Sequence, residues 1–114
     1  MVEPIGQDGY FDARCEACIA RSPSMLVPWY LMASLAYYWW DTSLLSDGLF
    51  DKLCQDLAFA IAMDELEHMH LSLIDPDELG AGTCSLAEED FPSMVHGATR
   101  RLLAERSESG VGFY

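Results

Sequence analysis

The chain has 114 residues, a formal net charge of −13 and 51% apolar residues. So large an apolar fraction excludes a disordered composition, and so short a chain favours a single domain with a modest core. The negative charge argues against direct binding of DNA or RNA, whose phosphate backbones are contacted by basic surfaces. It favours basic protein partners or divalent cations, although many small acidic domains carry such charge for solubility alone.

Residues 1–24 mix Gly, Pro, Ser and both charge signs, which predicts an irregular arm with one turn of helix around residues 13–20. The N-terminus shows no basic segment followed by an apolar stretch, so no secretory signal is expected. Without such a signal, the four cysteines are expected to be reduced thiols, and the protein is expected to be cytoplasmic.

The apolar run from Met25 to Trp40 predicts the first long helix. Pro28 suits the start of a helix, because its missing N–H has no partner there, and Asp41 begins the polar turn that ends the run. Sixteen residues are fewer than the roughly 20 needed to span a bilayer. We therefore expect a helix buried on most sides and no membrane partner.

A second helix is predicted to begin at Ser46 or Asp47, either of which can act as an N-cap. The apolar residues that follow share one helical face: Leu49, Phe50, Leu53, Cys54, Leu57 and Ile61. A connection of about six residues is typical of antiparallel helix neighbours. The two helices are therefore expected to form an antiparallel helical hairpin.

Beyond Asp64 the helical periodicity stops, and we predict only a single short helix capped by Asp75 with Pro76 at its first position. A last helix is predicted from Phe91 or Pro92 to about Glu105, with one stripe formed by Met94, Val95, Ala98, Leu102 and Leu103. Three basic residues near its C-terminus complement the helix dipole, namely Arg100, Arg101 and Arg106.

The predicted fold class is therefore mostly α. A small helical domain over residues 25–106 is built on the hairpin and the C-terminal helix, with the irregular N-terminal arm before it and a flexible tail over 107–114.

Two groups of residues have spacings compatible with metal binding. Cys15 and Cys18 lie three apart, which lets two thiolates reach one zinc ion, but no second pair with a standard spacing follows. His68 and His70 would share a face only on an extended segment. Free thiols and a solvated polar segment are the simpler interpretations, so we assign no metal ligands. The chain also has no Gly-x-Ser-x-Gly motif and no glycine-rich phosphate loop.

The stretch AYYWWDTSLLSDGLFDKL, residues 36–53, resembles the helical hairpin at the N-terminus of NAD-dependent DNA ligases. Those enzymes place a Tyr-containing helix before an Asp at the turn, followed by a Ser/Pro-Asp pair, a Tyr-Asp pair and a Leu. The matching positions here are Tyr37, Tyr38, Asp41, Ser46, Asp47, Phe50, Asp51 and Leu53. In the ligases this subdomain grips the nicotinamide mononucleotide half of NAD. The resemblance therefore implies nicotinamide mononucleotide or NAD as the cofactor, and as its contacts Tyr37, Tyr38, Asp47, Phe50 and Asp51.

Three further segments resemble short phage-encoded proteins that are related to the ligase hairpin but lack the ligase. These segments are VPWYLMASLAYYWW, EHMHLSLID and GAGT.

Two departures from the ligase pattern matter. Phe50 stands where ligases usually place Tyr, which removes a hydroxyl. The single lysine, Lys52, lies in Asp-Lys-Leu-Cys rather than in the nucleophilic Lys-x-Asp-Gly motif. We therefore expect no catalytic residues and no enzymatic activity.

The resulting hypothesis is a non-enzymatic, small acidic, phage-encoded protein that binds a host or phage protein with a basic surface. It would occupy a nucleic-acid-binding site, as DNA-mimicking anti-restriction and anti-CRISPR proteins do. One alternative is a module that binds nicotinamide mononucleotide or NAD, and another is a zinc-stabilised adaptor. In the simplest interpretation, the hairpin aromatics only pack in the core and Asp47 only caps a helix. A homodimer is possible if the aromatics beside Trp29, Trp39 and Trp40 are exposed.

Overall fold

The computed structural model describes the backbone of residues 10–81 and 84–111 and the side chains of residues 10–79 and 84–106. Over these residues the chain is helical or irregular and contains no strand, which confirms the predicted mostly-α fold. The α-helices are α1 (Asp12–Arg21), α2 (Leu26–Ser34), α3 (Asp47–Ala62), α4 (Pro76–Ala81) and α5 (Ser93–Val111). Short 3-10 turns lie at Pro23–Met25, Leu71–Leu73 and Glu88–Asp90.

Helix α2 is the centre of the core. Every residue of α2 except Pro28 is buried, as expected for a helix that is apolar on all sides. Pro28 lies in the first turn, where the amide N–H that it lacks would have no intrahelical partner. Helices α3 and α5 pack on α2, and α4 packs on α3. Within the described residues, no helix is both long enough and apolar enough to cross a bilayer.

The end of the predicted first helix is wider than an α-helix. Residues Leu35–Trp39 form a π-helical turn, and Asp41 then adopts the left-handed conformation with φ 53°. The N–H of Thr42 donates to the carbonyl of Ala36 at 3.0 Å, six residues back, where a regular helix end spans five. This turn carries Tyr37 and Trp39 on the surface, although the preceding helix is buried all round.

The predicted N-terminal arm is more regular than expected. Its described part contains α1, a helix of ten residues, and the side chains of Phe11 and Cys15 lie in the hydrophobic core. Phe11, Cys15 and Ile19 recur every four residues, a helical stripe that the charged residues between them obscure. An ion pair between Arg14 and Glu105 joins α1 to α5 on the surface. Residues 1–9 of the arm lie outside the described residues.

The predicted starts of α3 and α4 can be compared directly with the structure. Ser46, rather than Asp47, is the N-cap of α3, because its Oγ accepts the N–H of Leu49 at 3.2 Å. Asp47 is instead the first helical residue, so the interpretation of Asp47 as a cap is wrong. The buried face of α3 is confirmed by Leu53, Cys54 and Leu57. In α4, Asp75 accepts the N–H of Asp77 at 3.0 Å ahead of the first-position Pro76, as predicted.

Helix α5 differs from its prediction in length and in its buried face. It continues to Val111 and so extends into the predicted tail, whose residues 112–114 are not described. Met94 and Ala98 are exposed and therefore do not belong to the core stripe, and Thr99 is fully buried instead. The Thr99 hydroxyl donates to the carbonyl of Val95 at 2.6 Å, which satisfies it inside the core.

Asp64 ends α3 in a left-handed conformation, with φ 56°. Its N–H donates to the carbonyl of Ile61, and the N–H of Glu65 donates to that of Ala60, both at 3.0 Å. These two bonds form a common C-terminal helix motif. Its left-handed position, occupied here by Asp64, is usually glycine, because a Cβ is disfavoured at positive φ.

We therefore expect Asp64→Gly to raise the free energy of unfolding by about 0.5–1 kcal/mol, since glycine removes the cost of the left-handed backbone. Gln55→Gly, at an exposed interior position of the same helix, should lower it by about 0.5–1 kcal/mol. Urea denaturation followed by circular dichroism measures both changes. Destabilisation by both substitutions would contradict the assignment of Asp64 as the left-handed residue that ends α3.

Candidate functional site

A cavity of about 190 Å³ opens between the π-helical turn, the loop that follows it and the first turns of α3. All five residues that the ligase resemblance implies as ligand contacts line this cavity: Tyr37, Tyr38, Asp47, Phe50 and Asp51. The rest of its lining comes from Ala33 and from three loop residues, Ser43, Leu44 and Leu45. The helical hairpin therefore brings together in space residues that are separated by a turn in the sequence.

Aromatic rings form one wall of the cavity. The rings of Tyr37 and Phe50 have centroids 6.3 Å apart with planes inclined by 30°, and Tyr38 meets Tyr37 edge to face at 5.0 Å. Behind them, the buried Tyr30 stacks on Phe50 at 6.2 Å. Burial is the main cause that raises the pKa of Tyr30 and of Tyr38, so both hydroxyls stay protonated at neutral pH. Tyr37 keeps 53% of its surface exposed and therefore has ring surface available to a ligand.

Two carboxylates lie at the rim of the cavity. Asp47 and Asp51 are one helical turn apart on α3, and both are exposed. Because Ser46 provides the cap, the carboxylate of Asp47 is not used to begin the helix. Lys52, the single lysine of the chain, follows Asp51 but pairs with Asp56 at 2.8 Å outside the cavity lining. The rim is therefore negatively charged.

The loop that closes the cavity is held by α1 and α5. Asp12 of α1 accepts two hydrogen bonds from Ser46, one from its N–H at 3.0 Å and one from its hydroxyl at 2.6 Å. Arg106 of α5 donates to the carbonyl of Ser43 at 2.6 Å and to the hydroxyl of Thr42 at 2.9 Å. Leu44 lies between these anchors and is buried. Asp12 and Arg106 therefore position the cavity wall from outside the hairpin.

The sequence does not reveal either anchor. Arg106 is predicted only to complement the dipole of α5, and Asp12 lies in the predicted irregular arm. No local pattern marks either contact, because Asp12 is 34 residues from Ser46 and Arg106 is 63 residues from Ser43. Only the packing of α1 and α5 around the hairpin brings these groups together.

The three tryptophans of the predicted dimer surface largely contact other residues of the same chain. The indole N–H of Trp40 donates to Glu88 Oε2 at 2.7 Å, and that of Trp39 donates to the carbonyl of Leu86 at 3.0 Å. The Arg100 guanidinium lies 5.5 Å from the centre of the Trp40 ring. Trp29 is buried in α2. The three tryptophans therefore form no single exposed patch, and the homodimer stays a prediction.

The metal-binding hypotheses find no support in the described side chains. Cys15 is buried, and burial, with a smaller effect of Asp12, raises the pKa of its thiol to about 12. His68 Nδ1 accepts the backbone N–H of His70 at 3.0 Å, which leaves Nε2 as the one nitrogen of that ring free for a metal. Where side chains are described, no three or more His, Cys, Asp or Glu residues converge on a point that could hold an ion.

Comparison with known proteins leaves the chain without an assigned family. No protein-family model matches it, and neither a curated protein nor a solved structure shows significant similarity to it. The resemblance of the hairpin to the ligases and to the short phage proteins therefore rests on the residues themselves and stays a prediction.

The anchoring of the cavity wall can be tested by a double-mutant cycle on Asp12 and Ser46. We expect Asp12→Ala to lower the free energy of unfolding by about 1–3 kcal/mol, because Ser46 loses a charged acceptor. Ser46→Ala should cost a similar amount, because α3 also loses its cap.

The double variant should lose about 1–2 kcal/mol less than the sum of the single variants, since both substitutions break the hydrogen bond between the Ser46 hydroxyl and the Asp12 carboxylate. Urea denaturation of the four proteins gives the coupling free energy. Glu16→Ala, an exposed change on the same helix as Asp12, should show no coupling to Ser46→Ala. Additive effects of Asp12→Ala and Ser46→Ala would contradict the anchor.

Proposed function

We propose that this protein binds a nicotinamide nucleotide, nicotinamide mononucleotide or NAD, in the cavity of its helical hairpin and does not transform it. The single observation that carries the proposal is the convergence of the five implied contact residues on one cavity. These residues lie on both sides of a turn in the sequence, and all five line the same cavity. Their convergence is what a shared ligand site requires, and it therefore supports the proposal.

The chemistry of the cavity suits a nicotinamide ring. A nicotinamide nucleotide carries a planar, positively charged pyridinium, and aromatic faces attract such cations. Tyr37, Tyr38 and Phe50 provide these faces, and the carboxylates of Asp47 and Asp51 add an attractive charge at the rim. The cavity volume of about 190 Å³ is below the 300–1,000 Å³ typical of sites that enclose a whole drug-sized ligand. It therefore suits the ring end of the nucleotide.

The proposal is for binding because the cavity lining offers no group for adenylate transfer. That reaction needs a nucleophilic lysine, and Lys52 is paired with Asp56 outside the cavity. A protein of this kind would sense the nucleotide, sequester it or supply it to a partner enzyme. From the resemblance to phage-encoded proteins, we propose that this activity takes place in an infected host cell.

Removal of the aromatic wall tests the proposal. We expect wild-type protein to bind nicotinamide mononucleotide and NAD in calorimetry, and Tyr37→Ala to weaken binding about ten-fold, since stacking on an aromatic side chain contributes about 1–3 kcal/mol per base. Phe59→Ala should leave binding unchanged, because Phe59 is an exposed aromatic residue of α3 outside the cavity lining.

Phe50→Tyr is a second variant, for which we expect stronger rather than weaker binding. It adds the hydroxyl that ligases usually place at this position, so we expect it to strengthen binding of nicotinamide mononucleotide. The absence of both heat and thermal stabilisation at millimolar ligand would remove the proposal.

The distribution of charge supports a second candidate function, binding to a macromolecule with a basic surface. Thirteen acids lie between Asp41 and Asp90, and all of them except Glu78 and Glu88 are exposed. Within the described residues, Asp56 is the one member of this set that forms an ion pair. Most of these carboxylates therefore keep their charge uncompensated and attract basic surfaces, such as the nucleic-acid-binding site of a host protein.

Neutralisation of the acidic surface tests this second candidate. We expect immobilised wild-type protein to capture basic, nucleic-acid-binding proteins from host lysate at low salt and to lose them at high salt. A variant in which five acids are converted to their amides should capture far less of the same proteins. The five acids are Asp64, Glu65, Glu67, Asp77 and Glu78. Mass spectrometry identifies the captured proteins.

The control for this experiment is Asp47→Asn combined with Asp51→Asn, which removes charge at the cavity and leaves the remaining acids in place. Capture that resists high salt, or that survives neutralisation of the five acids, would argue against electrostatic recognition.

A further inference from the structure

We infer that the cavity attracts the positively charged pyridinium ring and repels the phosphate. A pyridinium nucleoside therefore binds more tightly than the corresponding nucleotide. This inference rests on the proposed function, because it concerns the same cavity and names the ligand class within it. The expected preferred ligand is nicotinamide riboside, which carries the cationic ring and no phosphate.

The charges around the cavity favour a cation over an anion. Among the described residues that line it, two are acids, Asp47 and Asp51, and none is Lys, Arg or His. A phosphate at this rim would lie beside two exposed carboxylates on a chain with a net charge of −13. Like charges at such short range repel, and the field of the whole protein adds to the repulsion.

Two cations adjoin residues of the cavity lining, and both already have other partners. The Arg106 guanidinium reaches the cavity loop from behind and donates to the Ser43 carbonyl and the Thr42 hydroxyl. The Lys52 ammonium is held by Asp56 at 2.8 Å. A phosphate would have to draw one of these groups away from a partner that it already has, which costs binding free energy.

The N-terminus of α3 also offers little to a phosphate. A helix N-terminus usually attracts anions through its free N–H groups and its dipole. Of the four N–H groups at this terminus that have no intrahelical partner, two are already used: Asp12 accepts that of Ser46 and the Ser46 hydroxyl accepts that of Leu49, at 3.0 and 3.2 Å. The carboxylate of Asp47 stands in the first turn and already complements the dipole. The aromatic wall, by contrast, is open to a cationic ring.

Four ligands separate ring charge from phosphate charge in calorimetry on the full chain. 1-Methylnicotinamide and nicotinamide share one ring, but only the first is a cation. Nicotinamide riboside and nicotinamide mononucleotide share one cationic nucleoside, but only the second carries a phosphate. We expect 1-methylnicotinamide to bind about ten-fold more tightly than nicotinamide, and the riboside about five-fold more tightly than the mononucleotide. The second ratio should shrink in 0.3 M salt, which screens the repulsion.

Variants of the two rim carboxylates test whether they cause the preference for the riboside over the mononucleotide. Asp47→Asn combined with Asp51→Asn should bring the ratio of riboside to mononucleotide affinity close to one, without loss of helical circular dichroism, because both side chains are exposed. Asp51→Asn alone should give an intermediate ratio. The control is Asp77→Asn, an exposed acid of α4 outside the cavity lining, which should keep the wild-type ratio.

The possible results separate the inference from the function on which it rests. If none of the four ligands and no NAD binds, the proposed function and the inference both fail. If the mononucleotide binds more tightly than the riboside, the inference is overturned while the proposed function stands. The same holds if nicotinamide matches 1-methylnicotinamide, or if the double variant keeps the wild-type ratio.

Discussion

The fold depends on the need to cover a helix that has no polar face. Helix α2 buries all its residues except Pro28, so the remaining helices must surround it. Helices α3 and α5 pack on α2, and α1 adds Phe11 and Cys15 to the same core. Burial of each large apolar side chain contributes about 1.5–3 kcal/mol, and among the described helices α2 buries the most apolar side chains. The cavity lies where the covering ends, because the π-helical turn after α2 carries Tyr37 out of the core.

The hairpin does not build the cavity by itself. Its two helices supply the aromatic and acidic side chains, but the loop between them is fixed by Asp12 from α1 and by Arg106 from α5. A charged acceptor binds the residue that caps α3, and a charged donor binds the middle of the loop. Since both contacts are charge-assisted, they are stronger than neutral hydrogen bonds of the same length. Helix α1 and the end of the side-chain-described part of α5 lie outside the hairpin, and they hold the shape of its cavity.

The fold class, the hairpin and the buried face of α3 were predictable, because each leaves a periodic pattern in a short segment of sequence. Only one helical turn was predicted where α1 lies, around residues 13–20, and the burial of Thr99 was missed, because neither feature shows a clear run of apolar residues. In α1, charged residues hide an apolar stripe, and in α5 a hydroxyl is satisfied by the carbonyl of Val95. Five of the nine residues that line the cavity are those that the resemblance implies as ligand contacts, and this role stays a prediction, whereas no sequence pattern indicated Asp12 and Arg106. Their contacts join residues far apart in sequence, and only tertiary packing determines them.

The two proposed functions draw on one electrostatic property at different scales. Over the whole surface, exposed and largely unpaired carboxylates create a negative field that attracts any cation, whether a basic protein or a pyridinium. This field carries little specificity, because salt screens it within about 10 Å. At the cavity, Asp47 and Asp51 stand beside Tyr37 and Phe50, so charge acts together with a surface that fits a flat ring. Selectivity for a ligand must therefore arise in the hairpin, while the remaining acids govern how strongly basic partners are drawn to the protein.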